Sequence, residues 1–198
     1  MILKTIFNKI DADWVNIKNK CRTTIGKNYT ENIPTIEFKR KLLISEHSPI
    51  RLLKIDWTWN NIYSWVATHW SRHKWECFIE TQRSDRTGVD RKNLSQSELV
   101  KFDGEANAQH LIDSWRKRLC FMASPETREL AVDFKINIKP CESELSNVLV
   151  PNCIYRCGCC EFKSCGYWNK FISKHRNEDL TNIQSRYDLY NNDFYEVK

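Results

Sequence analysis

The stretch Leu53–Arg86, LKIDWTWNNIYSWVATHWSRHKWECFIETQRSDR, changes its periodicity twice. Leu53, Ile55, Trp57 and Trp59 alternate with Lys54, Asp56 and Thr58, the two-residue repeat of a half-buried strand. From Ile62 onward Trp65, Val66, His69, Trp70 and His73 recur at helical spacing, with Asn60 or Asn61 read as the helix cap. CFIET, Cys77 to Thr81, returns to aromatic and β-branched residues and reads as a short strand. This alternation suggests an α+β fold, a mostly antiparallel sheet packed with helices.

Outward from this stretch, the polar loop SDRTGVDRKNLSQSE leads to Leu111, Ile112, Trp115 and Leu119, which predict a second helix. A third begins where Ser124 caps the free amides and Pro125 takes the first helical position, with Leu130, Phe134 and Ile138 on its apolar face. The first thirty-odd residues, rich in Lys and Asn, read as helix or strand. From Trp168 the chain is polar and Asn-rich with scattered Tyr and Phe, so a loosely packed or partner-dependent tail is expected.

Within 198 residues, eight Trp and a hydrophobic content of 41% argue for a packed core, while five Gly and five Pro leave little for a flexible linker. The expectation is one domain over 1–198: a core at about 36–140, a Cys-rich loop at 153–165 and a polar tail at 169–198. The net charge of +6 intersperses 25 acidic with 31 basic residues. Such a balance favours a local anion site at least as much as tracking of a long polyanion. The opening MILKTIFNKIDADW does not resemble a signal peptide, and no apolar run approaches the ~20 residues that span a bilayer. A cytoplasmic protein without a membrane partner is expected, in the host cytoplasm if the chain is viral.

Three readings compete for the basic and aromatic strip. Arg72, His73 and Lys74 at a helix end, followed by Thr81, Gln82, Arg83 and Ser84, suit a phosphorylated ligand, because Arg meets phosphate in a planar fork and hydroxyls complete the shell. Interleaved Trp70, Trp75 and Phe78 suit single-stranded nucleic acid. Cations favoured by a helix dipole at a solvated C-terminus are the bland reading. Asn107, Arg116, Arg118 and Arg128 follow in order along the later helices.

That order resembles the flavin-dependent thymidylate synthases. The family carries His-x-(Ser/Thr)-Pro-Phe-Glu-His, then Arg-His-Arg and Ser-x-Arg, then a helix with Asn and Asn-x-Arg, and Ala-Gln-x-Glu-Ile-Arg. This chain reads His47-Ser48-Pro49-Ile50, Arg72-His73-Lys74, Thr81-Gln82-Arg83, Asn107-Ala108-Gln109, Arg116-Lys117-Arg118 and Ala123-Ser124-Pro125-Glu126-Thr127-Arg128, over roughly 44–131. The resemblance implies reductive methylation of dUMP to dTMP with FAD, methylenetetrahydrofolate and NADPH, in a homotetramer whose active sites draw on several chains. It implies FAD contacts from Ser48, Arg72, His73, Lys74, Asn107 and Arg118. It implies substrate contacts from His69, Arg72, Glu80, Thr81, Gln82, Arg83 and Arg128, the last at the pyrimidine. No protein nucleophile is implied, since the flavin carries the chemistry. Departures are Lys74 for Arg, a one-residue shortening before Thr81, Leu52 near the early motif's final His, Arg116 for Asn and Met122 for a polar residue. A relative that modifies another pyrimidine nucleotide, or one without activity, is the alternative within this reading. A non-catalytic or zinc-containing single-stranded nucleic-acid-binding module is the alternative outside it.

The family does not generally need the thiols of NCIYRCGCCEFKSCG. Cys153, Cys157, Cys159, Cys160 and Cys165 stand within thirteen residues, and four of them suit a structural zinc, although paired Cys-x2-Cys knuckles are lacking. Free or redox-active thiols are the competing reading.

Overall fold

The computed structural model describes residues 5–160 and 163–196. In chain order the elements are β1 (Ile6–Asp11), α1 (Trp14–Thr24), α2 (Ile36–Ile44), a 3-10 turn at Ser48–Leu52, β2 (Lys54–Tyr63), α3 (Ser64–Trp70), β3 (Glu76–Ile79) and α4 (Ser84–Thr87). A second 3-10 turn at Arg91–Asn93, β4 (Leu99–Asn107), α5 (Ala108–Arg118), α6 (Pro125–Ile138), α7 (Ser143–Val148), α8 (Asn152–Tyr155), α9 (Tyr167–Lys174) and α10 (Ile183–Glu196) follow. The sheet runs β1-β2-β4-β3 with every pair antiparallel, an α+β arrangement as expected.

The alternation in β2 buries Ile55, Trp57, Trp59 and Ile62. Asn60 and Asn61 do not cap a helix, as expected from sequence, but lie inside β2. The register against β4 breaks between Trp59 and Ile62, where Asn61 takes a left-handed φ of 55°. An extra residue absorbed at a bulge, in a conformation Asn tolerates, lets the strand continue to Tyr63. The helix therefore starts at Ser64, whose amide donates to Glu98 O. At α6, Pro125 takes the expected first position, but the Ser124 hydroxyl donates to Thr127 Oγ1 rather than accepting from a backbone amide.

Strand β4 is not named from the sequence although its apolar and small residues alternate with Lys101, Asp103, Glu105 and Asn107, and the smallness of its second half has its reason in β2. Val100, Phe102, Gly104 and Ala106 point inward, and Gly104 faces the Trp57 ring. A Cβ on Gly104 would stand 2.5 Å from that indole, so the strand yields its apolar bulk to the neighbouring Trp. Around Trp57 the rings of Trp59, Trp75, Trp115 and Phe134 meet edge to face. Such contacts add about 0.5–1.5 kcal/mol each beyond their buried area. Trp70 of α3, Trp115 of α5 and Phe134 of α6 are fully buried, and Trp115 Nε1 donates to Ala131 O at 2.9 Å. The aromatic cluster thereby locks the three helices onto one sheet face.

The chain after Trp168 is not the loose tail its composition suggested. Tyr187 and Tyr190 are buried on one face of α10, and Phe171 is buried on α9. Buried Arg186 donates to the carbonyls of Ile154, Tyr155, Leu180 and Thr181. Lys135 Nζ, wholly buried, donates to Ser146 O at 2.6 Å and Asn191 Oδ1 at 2.7 Å, joining α6 to α10. A few aromatics at helical spacing suffice to dock a helix that is otherwise polar. No helix of the described residues is long and apolar enough to cross a membrane.

Candidate functional site

The ends of α3 and α5 and the start of α6 converge on a cationic junction. His69 lies in the last turn of α3, and Arg72, His73 and Lys74 follow immediately past its end. Arg118, the last residue of α5, reaches across: Nη2 donates to His69 O and Nε to His73 Nε2, each at 2.7 Å. The first bond satisfies a helix-end carbonyl with a cation, which the helix dipole favours. The second requires an unprotonated Nε2, so the His73 ring is neutral with its proton on Nδ1. Burial, then the Arg118 and Lys117 charges, push the His73 pKa down to about 4. His69 is shifted down by burial and then by Arg118 and Arg72, and its Nδ1 lies 3.2 Å from Thr127 Oγ1. Arg118 itself is shifted down by burial and by Arg72. The junction thus holds positive charge beside a neutral His73 and a His69 whose protonation is disfavoured, an electrostatic setting that favours an anion.

Most of the other residues named from the sequence stand on other elements, and Arg128 follows Thr127 on α6. Asn107 is the N-cap of α5 and accepts from the His110 amide at 3.0 Å, so a helix of eleven residues, about 16 Å, separates it from Arg118. Exposed Ser48 opens the 3-10 turn packed near the start of α5. At the far side of β3, Glu80 accepts from the Lys101 amide at 2.9 Å and Thr81 Oγ1 from the Arg83 amide at 3.2 Å. Arg83 is exposed and paired with Asp85 through two bonds of 3.0 and 2.8 Å, while Gln82 Nε2 is buried without a partner. Arg128 lines a cavity of about 330 Å³ with Tyr167, Lys170 and Tyr190 of the C-terminal helices. Its guanidinium lies 3.9 Å from the centre of the Phe121 ring, and its Nε is buried without a hydrogen-bond partner.

The indoles of the basic strip are not a stacking platform. Trp70 is fully buried and Trp75 is half-buried against it, leaving only Phe78 open. Arg116, which stands for an Asn of the motif, is buried in an ion pair with Glu46 and lies 3.4 Å from the centre of the Tyr155 ring. That is a packing role. Sequence reading missed Thr127, which is wholly buried and links Ser124 to His69. Its position one residue before Arg128 is the signal that would have found it.

Among the Cys-rich residues, Cys153 is buried, and burial with the neighbouring thiols Cys120, Cys165 and Cys160 pushes its pKa up to about 12. Cys157 and Cys159 are exposed. No group of three His, Cys, Asp or Glu side chains among the described residues is already gathered to hold a metal ion.

This order of elements, with its four-stranded sheet backed by α3, α5 and α6, is the fold of the flavin-dependent thymidylate synthases. The flavin-dependent thymidylate synthase ThyX from Helicobacter pylori, in complex with FAD and dUMP, superposes with a TM-score of 0.60 at 10% identity, over 72% of this chain and 97% of that one. The UMP/dUMP methylase PolB from Streptomyces cacaoi, bound with 5-Br dUMP, gives 0.59 at 12% identity, over 74% of this chain and 94% of that one. About a quarter of this chain therefore lies outside the shared fold. No protein-family model and no curated protein matches the sequence.

Proposed function

We propose that this chain is a divergent FAD-dependent methyltransferase of the thymidylate synthase type, converting dUMP to dTMP in the cytoplasm with methylenetetrahydrofolate and NADPH. The carrying observation is the Arg118–His73–His69–Thr127 network: motif blocks separated in sequence meet at one junction of a fold shared with enzymes solved with FAD and dUMP.

The residues present fit an anionic, planar group. Arg72 and Arg118 supply positive charge, and neutral His73 keeps its acceptor on Arg118 and presents Nδ1–H. In this reading Arg72, His73, Lys74 and Arg118 hold the pyrophosphate and ring edge of FAD, with Ser48 and Asn107 contributing from the opposite end of α5. Bound FAD would supply hydride transfer. Thr81, Gln82 and Arg83 bind the nucleotide phosphate, where Gln82 Nε2 has a hydrogen bond to give and Arg83 would exchange Asp85 for phosphate, while Glu80 borders the nucleotide away from the phosphate. Arg128, whose Nε is likewise unpaired, faces the pyrimidine carbonyl and stabilises negative charge developing on the ring, and His69 borders the same site. Asn107 and Arg118 stand at opposite ends of one helix, so a site that uses both would draw on more than one chain, and in this reading the protein is a homotetramer.

Purified protein should be yellow and release FAD on denaturation, and it should release tritium from 5-tritiated dUMP when given the folate and NADPH. Arg128→Ala should keep its flavin and lose dUMP-dependent flavin oxidation by at least ~100-fold, the scale of a lost charge-stabilising donor. Colourless protein that takes up no added FAD would overturn the reading, and oligonucleotide binding with a steep salt dependence would replace it with the nucleic-acid module.

A further inference from the structure

Two residues beyond the end of α5, Cys120 stands on the turn that leads into α6. The C-terminal part of the chain brings Cys153 of α8, Cys160 and Cys165 to the wall of the same cavity, which encloses about 370 Å³. Cys120 is about thirty residues distant in sequence from the run that drew attention to the cysteines, so only the tertiary fold adds it to the set. The two remaining thiols of that run are turned to other partners. Cys157 Sγ contacts Leu180 O at 3.5 Å, and Cys159 Sγ lies 3.8 Å from Cys160 O.

The surroundings of these four thiols are built. Cys153 and Ile154 are buried in α8, and Arg186 holds the carbonyls of Ile154 and Tyr155, so the first thiol of the segment has a fixed base. Gly158 takes a left-handed φ of 92°, and a Cβ there would run into the Trp168 indole, which packs over the turn. Lys117, Arg118 and Lys163 border the cavity and offset the negative charge that four thiolates leave around a divalent ion.

We propose that Cys120, Cys153, Cys160 and Cys165 bind a structural Zn²⁺. Four thiolates are a donor set that selects zinc over the harder divalent ions, and tetrahedral coordination by four protein ligands leaves no position for substrate. Cys153 is carried by α8 and Cys120 by the turn after α5. Among the described residues no three of these side chains stand together as a preformed metal site, so the ion would gather thiols that now line one cavity. The ion then ties the C-terminal helices to the α5–α6 turn, whose two sides carry Arg118 and the Ser124–Thr127–Arg128 run. The proposal does not depend on the flavin reading, since a closed zinc site takes no part in the chemistry.

The test is the metal content of the full-length protein, purified without chelator, by inductively coupled plasma mass spectrometry, together with the absorption spectrum after replacement by Co²⁺. The expected result is one zinc per chain and a Co²⁺ spectrum of tetrahedral tetrathiolate type. Cys157→Ser and Cys159→Ser should keep both. Cys120→Ser should lose zinc, and Cys120→His, which can still ligate, should keep it with a spectrum shifted toward three thiolates and one imidazole. Zinc-free wild-type protein that takes up none when reduced and given Zn²⁺ would overturn the proposal. So would a Cys120→His protein with an unchanged Co²⁺ spectrum, or zinc loss from Cys157→Ser or Cys159→Ser. Flavin content measured on the same samples separates this outcome from any failure of the enzymatic reading.

Discussion

Replacing His73 by Gln tests the charge state of the junction directly. Gln retains an acceptor for Arg118 Nε but cannot titrate. In the folded protein the imidazole pKa is depressed from 6.5 to about 4 by burial and by Arg118 and Lys117, whereas the unfolded chain binds a proton near 6.5. The unfolded state therefore holds more protons between these values, and stability falls as the pH drops through that window. The contribution is fully present above pH 6.5 and fully lost below about 4. At ~1.4 kcal/mol per pKa unit the displacement would be worth roughly 3 kcal/mol, and partial solvent access to the ring reduces this to ~2 kcal/mol. Urea unfolding across the window should show the wild type losing ~2 kcal/mol more than His73→Gln on acidification. Parallel pH profiles for the two proteins would refute a neutral, Arg118-bonded His73.

Gly104→Ala should destabilise the fold by ~1–3 kcal/mol, since the added methyl meets the Trp57 indole at 2.5 Å and neither strand can retreat without breaking the β2–β4 pairing; a chemical denaturation midpoint unchanged from wild type would contradict that packing. Glu46→Ala should cost about 3 kcal/mol by leaving the buried Arg116 guanidinium without its main counter-charge, and Glu46→Gln about half as much because one hydrogen bond survives, both read by thermal unfolding. If instead Arg116 served a ligand, these variants would change flavin or nucleotide affinity at nearly constant stability.

How much was legible in the sequence varied with the kind of information each element needed. Strand β2 and helices α5 and α6 were readable because their own residues carry the burial pattern: Trp57 and Trp59 on one side of a strand, Leu111, Ile112 and Trp115 on one side of a helix. The order of basic motifs along the chain was equally local, and its resemblance to the flavin-dependent thymidylate synthases implied the fold that the structure has. Strand β4 was overlooked despite the alternation of Val100, Phe102, Gly104 and Ala106 with charged and polar residues; what the sequence could not say is that Gly104 is small on account of a Trp in another strand. The bulge at Asn61 was misread as a cap since Asn serves either conformation. The C-terminal helices hid three buried aromatics in polar composition.

Composition and motif order determined the chemistry this chain can offer: Arg, His and Lys in blocks suited to a phosphorylated, planar ligand. Only the tertiary structure decided which of them meet. Arg118 reaches His73 and His69 because Trp70, Trp115 and Phe134 lock α3, α5 and α6 around Trp57, while Asn107 stays at the far end of α5. The same folding moved Arg116 from a ligand motif into a buried ion pair and brought Cys120 to the distant thiols. Side-chain type is a local property, whereas distance and protonation depend on burial, and burial is settled by residues far away in the chain.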